Sequence, residues 1–377
     1  MSFTQLIQKY PTWSELSSYL SSEAGGKFSI RDSEESPLAI IWYKKKETIL
    51  TPENGNLRSV VWDKANNRPV SVAPAKAENG FPPVTTDLTV SDFIDGVMIN
   101  VFKYNDVWQI STRSQLAASG KFYSDKTFAE MFNEELKNTP IADLVTDTPS
   151  YLSFVLQHPE HRMVAKVKEP KLYLVEAGQI LSDGQYKAVP LESAVVKTDL
   201  ISFSKSFTKN FETENDIWEL MRSESQSRGW TWQGFVFHDP SGKRWRMRNA
   251  TFIYLRNLLG NESQAVQRFL RLRSSGKVRE YLRHFSEDRD LFWGFEQELR
   301  KRTAQIFDGY TFVHKMHTKT LADLPQPDKT VVFKLHAHYL AHLREKKQSI
   351  LMRDVIDLIN TLPLWEQALL MRQPVTA

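Results

Sequence analysis

The sequence contains no cysteine among its 377 residues. That absence excludes disulfides, thiolate metal sites and thiol catalysis. It also contains no apolar run near the roughly 20 residues that a bilayer-spanning helix needs. The opening Met1-Ser2-Phe3-Thr4-Gln5 lacks the basic and apolar regions of a secretory signal, so the expected location is the cytoplasm, with no membrane partner. Internal repeats and low-complexity stretches are missing too. What remains is an ordinary globular composition, 41% hydrophobic and 25% charged, with ten tryptophans and twenty-two phenylalanines to fill a core. A chain of this length has room for two domains.

The net charge of +4 is small but uneven. Residues 251–377 hold 20 Lys and Arg against 14 Asp and Glu, a charge of +6, which leaves −2 for residues 1–250. A basic C-terminal part fits contact with a polyanion. The hydrophobic pattern changes at the same place. Thr12-Trp13-Ser14-Glu15 reads as a capping box opening a helix that runs through Leu20. Strands are expected at 27–30, 38–50, 57–64 and 69–72, with a turn at Asn66-Asn67. A hairpin follows, Val97–Phe102 with Val107–Thr112. Further on come a helix at 128–136, strands at 153–156, 163–168 and 171–177, a helix around 217–222 and a hairpin at 232–248. Beyond Asn249 only helices are expected: 252–259 capped by Gly260, then 263–273, 277–285, 289–307, 330–346 and 349–361, with Leu324–Pro327 as a linker.

Several short blocks stand in a telling order. Arg58-Ser59-Val60-Val61-Trp62 precedes a loop ending in Ala75-Lys76. Phe93-Ile94-Asp95-Gly96 precedes the first hairpin. Phe154-Val155-Leu156 leads to the turn Pro159-Glu160-His161-Arg162, and Gln233-Gly234-Phe235-Val236-Phe237 to Trp245-Arg246-Met247-Arg248. In order and spacing, from about Arg58 to about Asn249, these blocks resemble the phage-type (tRNA-repair) ATP-dependent RNA ligases of the covalent nucleotidyltransferase superfamily. The resemblance implies an α+β fold: a nucleotidyltransferase domain of ATP-grasp-like antiparallel sheets with helices at 1–250, then an all-α domain at 251–377 concerned with RNA recognition.

The departures from the family pattern all fall on chemistry. The lysine that would attack the α-phosphate of ATP is Phe93, and phenylalanine cannot attack phosphorus. The glutamate of the third motif is Val155, and that of the fourth is Gln233. In such enzymes the carboxylates hold ribose hydroxyls and metal, and phosphoryl transfer depends on that positioned charge. The Lys-x-Lys of the fifth motif becomes Arg246-Met247-Arg248, two arginines on one strand face, well suited to phosphate. The implied reading is a ligase-shaped protein without lysine adenylylation. It would hold an RNA end or nucleotide phosphate through Arg58, Lys76, Asp95, Arg162, Arg246 and Arg248, and need no cofactor. The alternatives are an active RNA ligase using ATP and Mg²⁺, through a displaced lysine such as Lys103 or Lys76 or on a pre-adenylylated substrate, and a structural or virion component. In the helical part, Arg268, Arg271, Arg273, Lys277 and Arg279 form a dense basic run suited to RNA backbone. His338 and His342 have the i, i+4 spacing of a metal pair but no third ligand nearby, so no metal is expected.

Overall fold

The computed structural model describes residues 2–51, 54–84 and 87–372. The chain divides into two compact units, Met1–Tyr254 and Leu255–Ala377. The first is built on three sheets, reached in chain order. Helices α1 (Phe3–Lys9) and α2 (Trp13–Ser21) each start on a capping box, Ser2 with Gln5 and Thr12 with Glu15. They cover an antiparallel sheet of β1 (Ser29–Arg31), β2 (Leu38–Trp42), β3 (Ser59–Asp63) and β4 (Arg68–Val72). Trp62 is fully buried beneath it and donates its indole N–H to Asn67 at 3.1 Å. The strand expected to run to Leu50 stops at Trp42, and Gly55–Arg58 is a 3₁₀ turn.

From there the chain gives β5 (Glu78–Asn79) and β6 (Asp87–Asp92) to a second sheet. It then crosses through Phe93–Gly96 into a third. That sheet holds β7 (Val97–Tyr104), β8 (Val107–Thr112), β9 (Tyr151–Gln157), β10 (Lys171–Ile180) and β11 (Tyr186–Ala188) in the order β11-β10-β9-β7-β8, and β12 (Ser202–Phe203) lies parallel to β10. One face of it packs on α3 (Phe128–Glu135) and α4 (Leu191–Ala194), around Phe132, Phe154, Leu172 and Leu174. Then β13 (Ser206–Asn210), α5 (Glu214–Arg228), β14 (Gly234–His238) and β15 (Arg244–Arg248) return to the second sheet and complete the order β13-β6-β14-β15-β5. Its core is Phe235, Phe237, Trp245 and Met247 against Ile217 and Met221 of α5.

One expected strand is absent. Residues 163–168 form a loop, because the N–H groups of Val164 and Ala165 are taken by the Asp95 carboxylate, at 3.0 and 3.1 Å, and not by a neighbouring strand. Short strands β11, β12 and β13 and helices α1 and α4 were not expected from periodicity, since each is too brief or too exposed to display one.

The second unit is all helical: the end of α6 (Ala250–Leu259), then α7 (Ala265–Ser274), α8 (Val278–His284), α9 (Arg289–His314), α10 (Gln326–His338), α11 (Met352–Thr361) and α12 (Leu364–Arg372). The expected linker at Leu324–Pro327 is partly helix, because Pro327 occupies the first turn of α10, where a missing N–H costs nothing. A buried ion pair ties α9 to α10. The Arg302 guanidinium meets the Asp328 carboxylate and also donates to the carbonyl of Leu370 at 3.2 Å and to Gln305 at 2.6 Å. Burial raises the Asp328 pKa in spite of Arg302. Breaking such a pair from one side leaves a bare charge and costs about 3–5 kcal/mol. Arg302→Ala is therefore expected to destabilise this unit by about 3 kcal/mol, read as faster amide exchange across α9, α10 and α12. Arg302→Met with Asp328→Leu is expected to recover most of the loss.

Candidate nucleotide and phosphate site

The antiparallel pairing of β14 with β15 sets Gly234 opposite Arg248, Val236 opposite Arg246 and His238 opposite Arg244. Trp245 and Met247 point into the core, so the three arginines lie along the other face. Phe93, next to β6, donates its N–H to the carbonyl of Gly234 at 2.9 Å. Gly234 has φ +135°, and a Cβ there would lie 2.1 Å from the Met247 carbonyl oxygen, so this close backbone junction requires glycine. The Phe93 ring is half-buried and carries the Arg248 guanidinium 5.1 Å from its centroid. A cation thus sits over the Phe93 ring.

Phe93 lines a cavity of about 530 Å³ together with Asp92, Gln157, Tyr173, Lys205, Trp232 and Gln233. Two acids line it, Asp92 and Asp95. Asp92 is already engaged, taking two hydrogen bonds from Arg228 at 2.6 and 2.9 Å and one from Trp232 at 3.1 Å. Asp95 is a clasp: its carboxylate holds Val164 and Ala165, and its carbonyl accepts from Gln157 at 2.7 Å. So placed, the carboxylate that the sequence reading assigns to the nucleotide or phosphate site fixes a loop. Arg162 folds back on the carbonyl of Val164, at 3.2 and 3.3 Å, with its guanidinium 6.0 Å from the Trp230 ring centroid. Val155 pairs with Met98 and Tyr173 across the third sheet.

A second grouping lies further along the same sheet. Arg58, Arg244 and Arg246 come together there, and so do two residues that the sequence reading missed, Arg113 and Glu176. Arg58 donates to the carbonyl of Pro74 at 3.2 Å and Arg244 to that of Ala75 at 3.0 Å, while Arg246 donates to Asn79 at 2.9 Å. Lys76 and Arg113 both lie against the Tyr43 ring, 5.4 and 5.2 Å from its centroid. Burial, and then the neighbouring Arg244, push the Arg58 pKa down to about 10. Burial and Arg244 push His238 down to about 4.

Glu176 owes its position to a bulge. The register of β10 against β9 shifts between Leu174 and Glu176, so Glu176 faces Ser153 while Leu172, Leu174 and Ala177 enter the core. Plain alternation places Val175 there instead. The carboxyl ends a polar row across the sheet: Ser111, Asn100 and Ser153, with Ser153 donating to Asn100 at 2.9 Å. Burial raises its pKa to about 7, against the pull of Arg244 and Arg58.

The other candidates fall elsewhere. Lys103, expected in the β7–β8 turn, is near the end of β7 opposite Trp108, 3.2 Å from Asp106, and does not line the cavity. In the helical unit the basic run is not one exposed face. Arg268 is only 8% exposed and bonds Tyr281 at 2.8 Å and Asp288 at 3.1 Å. Arg271 pairs with Glu262 at 2.6 Å and caps the carbonyls of Leu258 and Leu259. Arg273 bonds Glu296 and Asn360 at 3.0 and 2.7 Å. Only Lys277, 2.8 Å from Glu280, and Arg279 are exposed. The expected single basic surface is corrected accordingly: three of its five cations hold the unit together. His338 and His342 are exposed, with ring centroids 5.0 Å apart, and the helix widens to a π turn at Tyr339–Leu343 between them. No group of three or more His, Asp or Glu that could hold a metal occurs among the described residues, and no helix there is long and apolar enough to cross a membrane.

The raised Glu176 pKa has a definite consequence for stability. A carboxyl whose pKa is higher folded than unfolded stabilises the fold below the unfolded value and loses that contribution as pH rises through the folded one. The loss runs from about 4.5 to about 7 here. Glu176→Gln is expected to match the natural protein near pH 4.5 and to exceed it above pH 7, by at most about 3 kcal/mol. Urea midpoints of the two proteins across that range measure the difference.

No family model and no curated protein matches this sequence. Among solved structures, the chain is similar in structure to an archaeal ATP-dependent RNA ligase in two forms, each with TM-score 0.42, 12% identity and coverage of 78% of this chain and 73% of that one. It is also similar to a putative ATP-dependent DNA ligase from Aquifex aeolicus, with TM-score 0.35, 13% identity and coverage of 77% and 75%.

Proposed function

We propose that this chain is a ligase-fold protein that holds RNA ends or nucleotide phosphate without forming a covalent lysine–nucleotide intermediate. The observation that carries this reading is the pairing of Phe93 with Arg248, a ring where the chemistry needs an amine and a guanidinium directly above it. Arg246 on the same strand face and Arg58 nearby supply further positive charge, while Val155 and Gln233 stand where carboxylates would bind metal. Positive charge without metal-binding acid suits holding a phosphate, not transferring one. The domain roles follow: the sheet unit as the phosphate-binding body, and the helical unit, with Lys277 and Arg279 exposed, as an accessory RNA surface. The reading calls for no metal or nucleotide cofactor.

Incubation with α-labelled ATP and Mg²⁺, followed by a denaturing gel, is expected to leave the protein unlabelled. Phe93→Lys alone is expected to stay unlabelled as well, because Val155 and Gln233 are still not acids. An acid-labile AMP adduct on the natural protein would overturn the reading. A separate expectation concerns the strand arginines: Arg246→Ala with Arg248→Ala should weaken binding of 5′-phosphorylated RNA about tenfold more than that of 5′-hydroxyl RNA, since a charge-assisted phosphate contact contributes about 1.5–3 kcal/mol. Filter binding of the two RNAs at one fixed salt concentration measures it, and equal losses would make the pair a general basic surface.

A further inference from the structure

The cluster around Arg58 and Arg244 is strongly one-sided in charge. Arg58 lies within electrostatic reach of Arg244, Arg113 and Arg246, and Glu176 is the carboxyl that faces it and Arg244. Like charges do not gather in a half-buried place without some compensation. Here the compensation is partial: one loop carbonyl takes a nitrogen of Arg58, another takes one of Arg244, and the Nε atoms of both are buried without a hydrogen-bond partner. A buried donor left unsatisfied costs about 1–3 kcal/mol, so these two Nε–H groups are donors poised for an acceptor. No ion pair among the described residues involves Glu176. It attracts the two arginines without reaching them.

We propose that Arg58, Arg113, Arg244 and Arg246 bind a compact, multiply charged oxyanion such as a phosphate group, and that Glu176 competes with it, weakening binding when ionised and releasing the arginines when protonated. The proposal deepens the phosphate-binding reading above and rests on it. It adds two arginines, a competitor and a direction of control.

The surroundings isolate Glu176 as the switching group. Facing it are Arg58 from the turn before β3, Arg244 from β15, Tyr151 from β9 and Tyr186 from β11, with neutral Ser153 opposite. Burial and the charge of Glu176 raise both phenols above their ordinary value of 10.0, so they stay neutral. Arg58, pushed down only to about 10, stays charged, and His238, pushed down to about 4, stays neutral. Between pH 5.5 and 8.5 the group among these that changes charge is therefore Glu176, around pH 7. Protonation removes one negative charge from beside the arginines, which at an effective dielectric of about 20 and a separation of about 10 Å is enough for at least about a tenfold change in affinity.

The test uses the full chain and inorganic sulfate, which keeps its double charge throughout this pH range where phosphate does not. Sulfate affinity, followed by NMR shifts of the arginine side chains, is expected to rise about tenfold as pH falls from 8.5 to 5.5. Glu176→Gln is expected to bind at the stronger level at every pH, and Glu176→Asp to keep the pH dependence, which guards against misreading a misfolded variant. Arg58→Ala should lose the site at all pH values. If Glu176→Gln titrates like the natural protein, control by Glu176 is wrong while phosphate binding stands. If sulfate binds but ignores Arg58→Ala, the arginine cluster is not its site. If sulfate does not bind at any pH, the site fails, and the 5′-phosphate preference of RNA binding decides separately whether the broader reading falls with it.

Discussion

Everything in the sheet unit that concerns function hangs on a four-residue crossing between two sheets. Phe93–Gly96 leaves the end of β6 and enters β7, and both ends of it are fixed by backbone groups: the Phe93 N–H on the Gly234 carbonyl, and the N–H groups of Val164 and Ala165 on Asp95. Those bonds determine where the second and third sheets face each other. They hold Phe93 beneath Arg248, and they turn the segment after Arg162 into a loop that borders the cavity. The Asp-Gly of this turn thus has an architectural role.

The arginines pose the opposite problem, a cost that the fold accepts. Burying guanidinium groups beside one another is unfavourable on both desolvation and Coulomb grounds, which is why Arg58 and Arg244 both have lowered pKa values. Two carbonyls of the loop after β4 and an amide at Asn79 offset part of that cost. Arg302 and Arg268 of the helical unit show the contrasting solution: each is buried against an aspartate. The same residue type is therefore a structural strut where a carboxylate meets it and keeps uncompensated positive charge where none does.

The sequence displays these two situations very unevenly. Long periodic elements such as α7 and α9, and hairpins such as β7–β8 and β14–β15, stand out because their burial repeats at 3.6 or 2 residues. The placement of Phe93 beside Gly234 and Arg248 follows from the order of the short blocks. Glu176 was illegible because a bulge breaks the alternation that would have exposed it. The strand expected at 163–168 does not form because an acid 69 and 70 residues away in sequence claims two of its N–H groups. The basic run from Arg268 to Arg279 looked like a surface since a sequence shows charges without showing their partners. Its counter-ions, Glu262, Asp288 and Glu296, lie on other turns and helices.

The bulge in β10 has one more implication. Because it absorbs a single residue, the identity of the side chain presented to the arginines depends on a count and not only on chemistry. Deleting Val175 would restore regular pairing with Glu176 still opposite Ser153, whereas straightening the strand at constant length would set Val175 opposite Ser153 and turn Glu176 toward the apolar layer. Loss of the bulge at constant length is therefore equivalent to loss of a carboxyl from the polar row. Such a slip would set an isopropyl group where the carboxyl now faces Arg58 and Arg244, with every arginine unchanged.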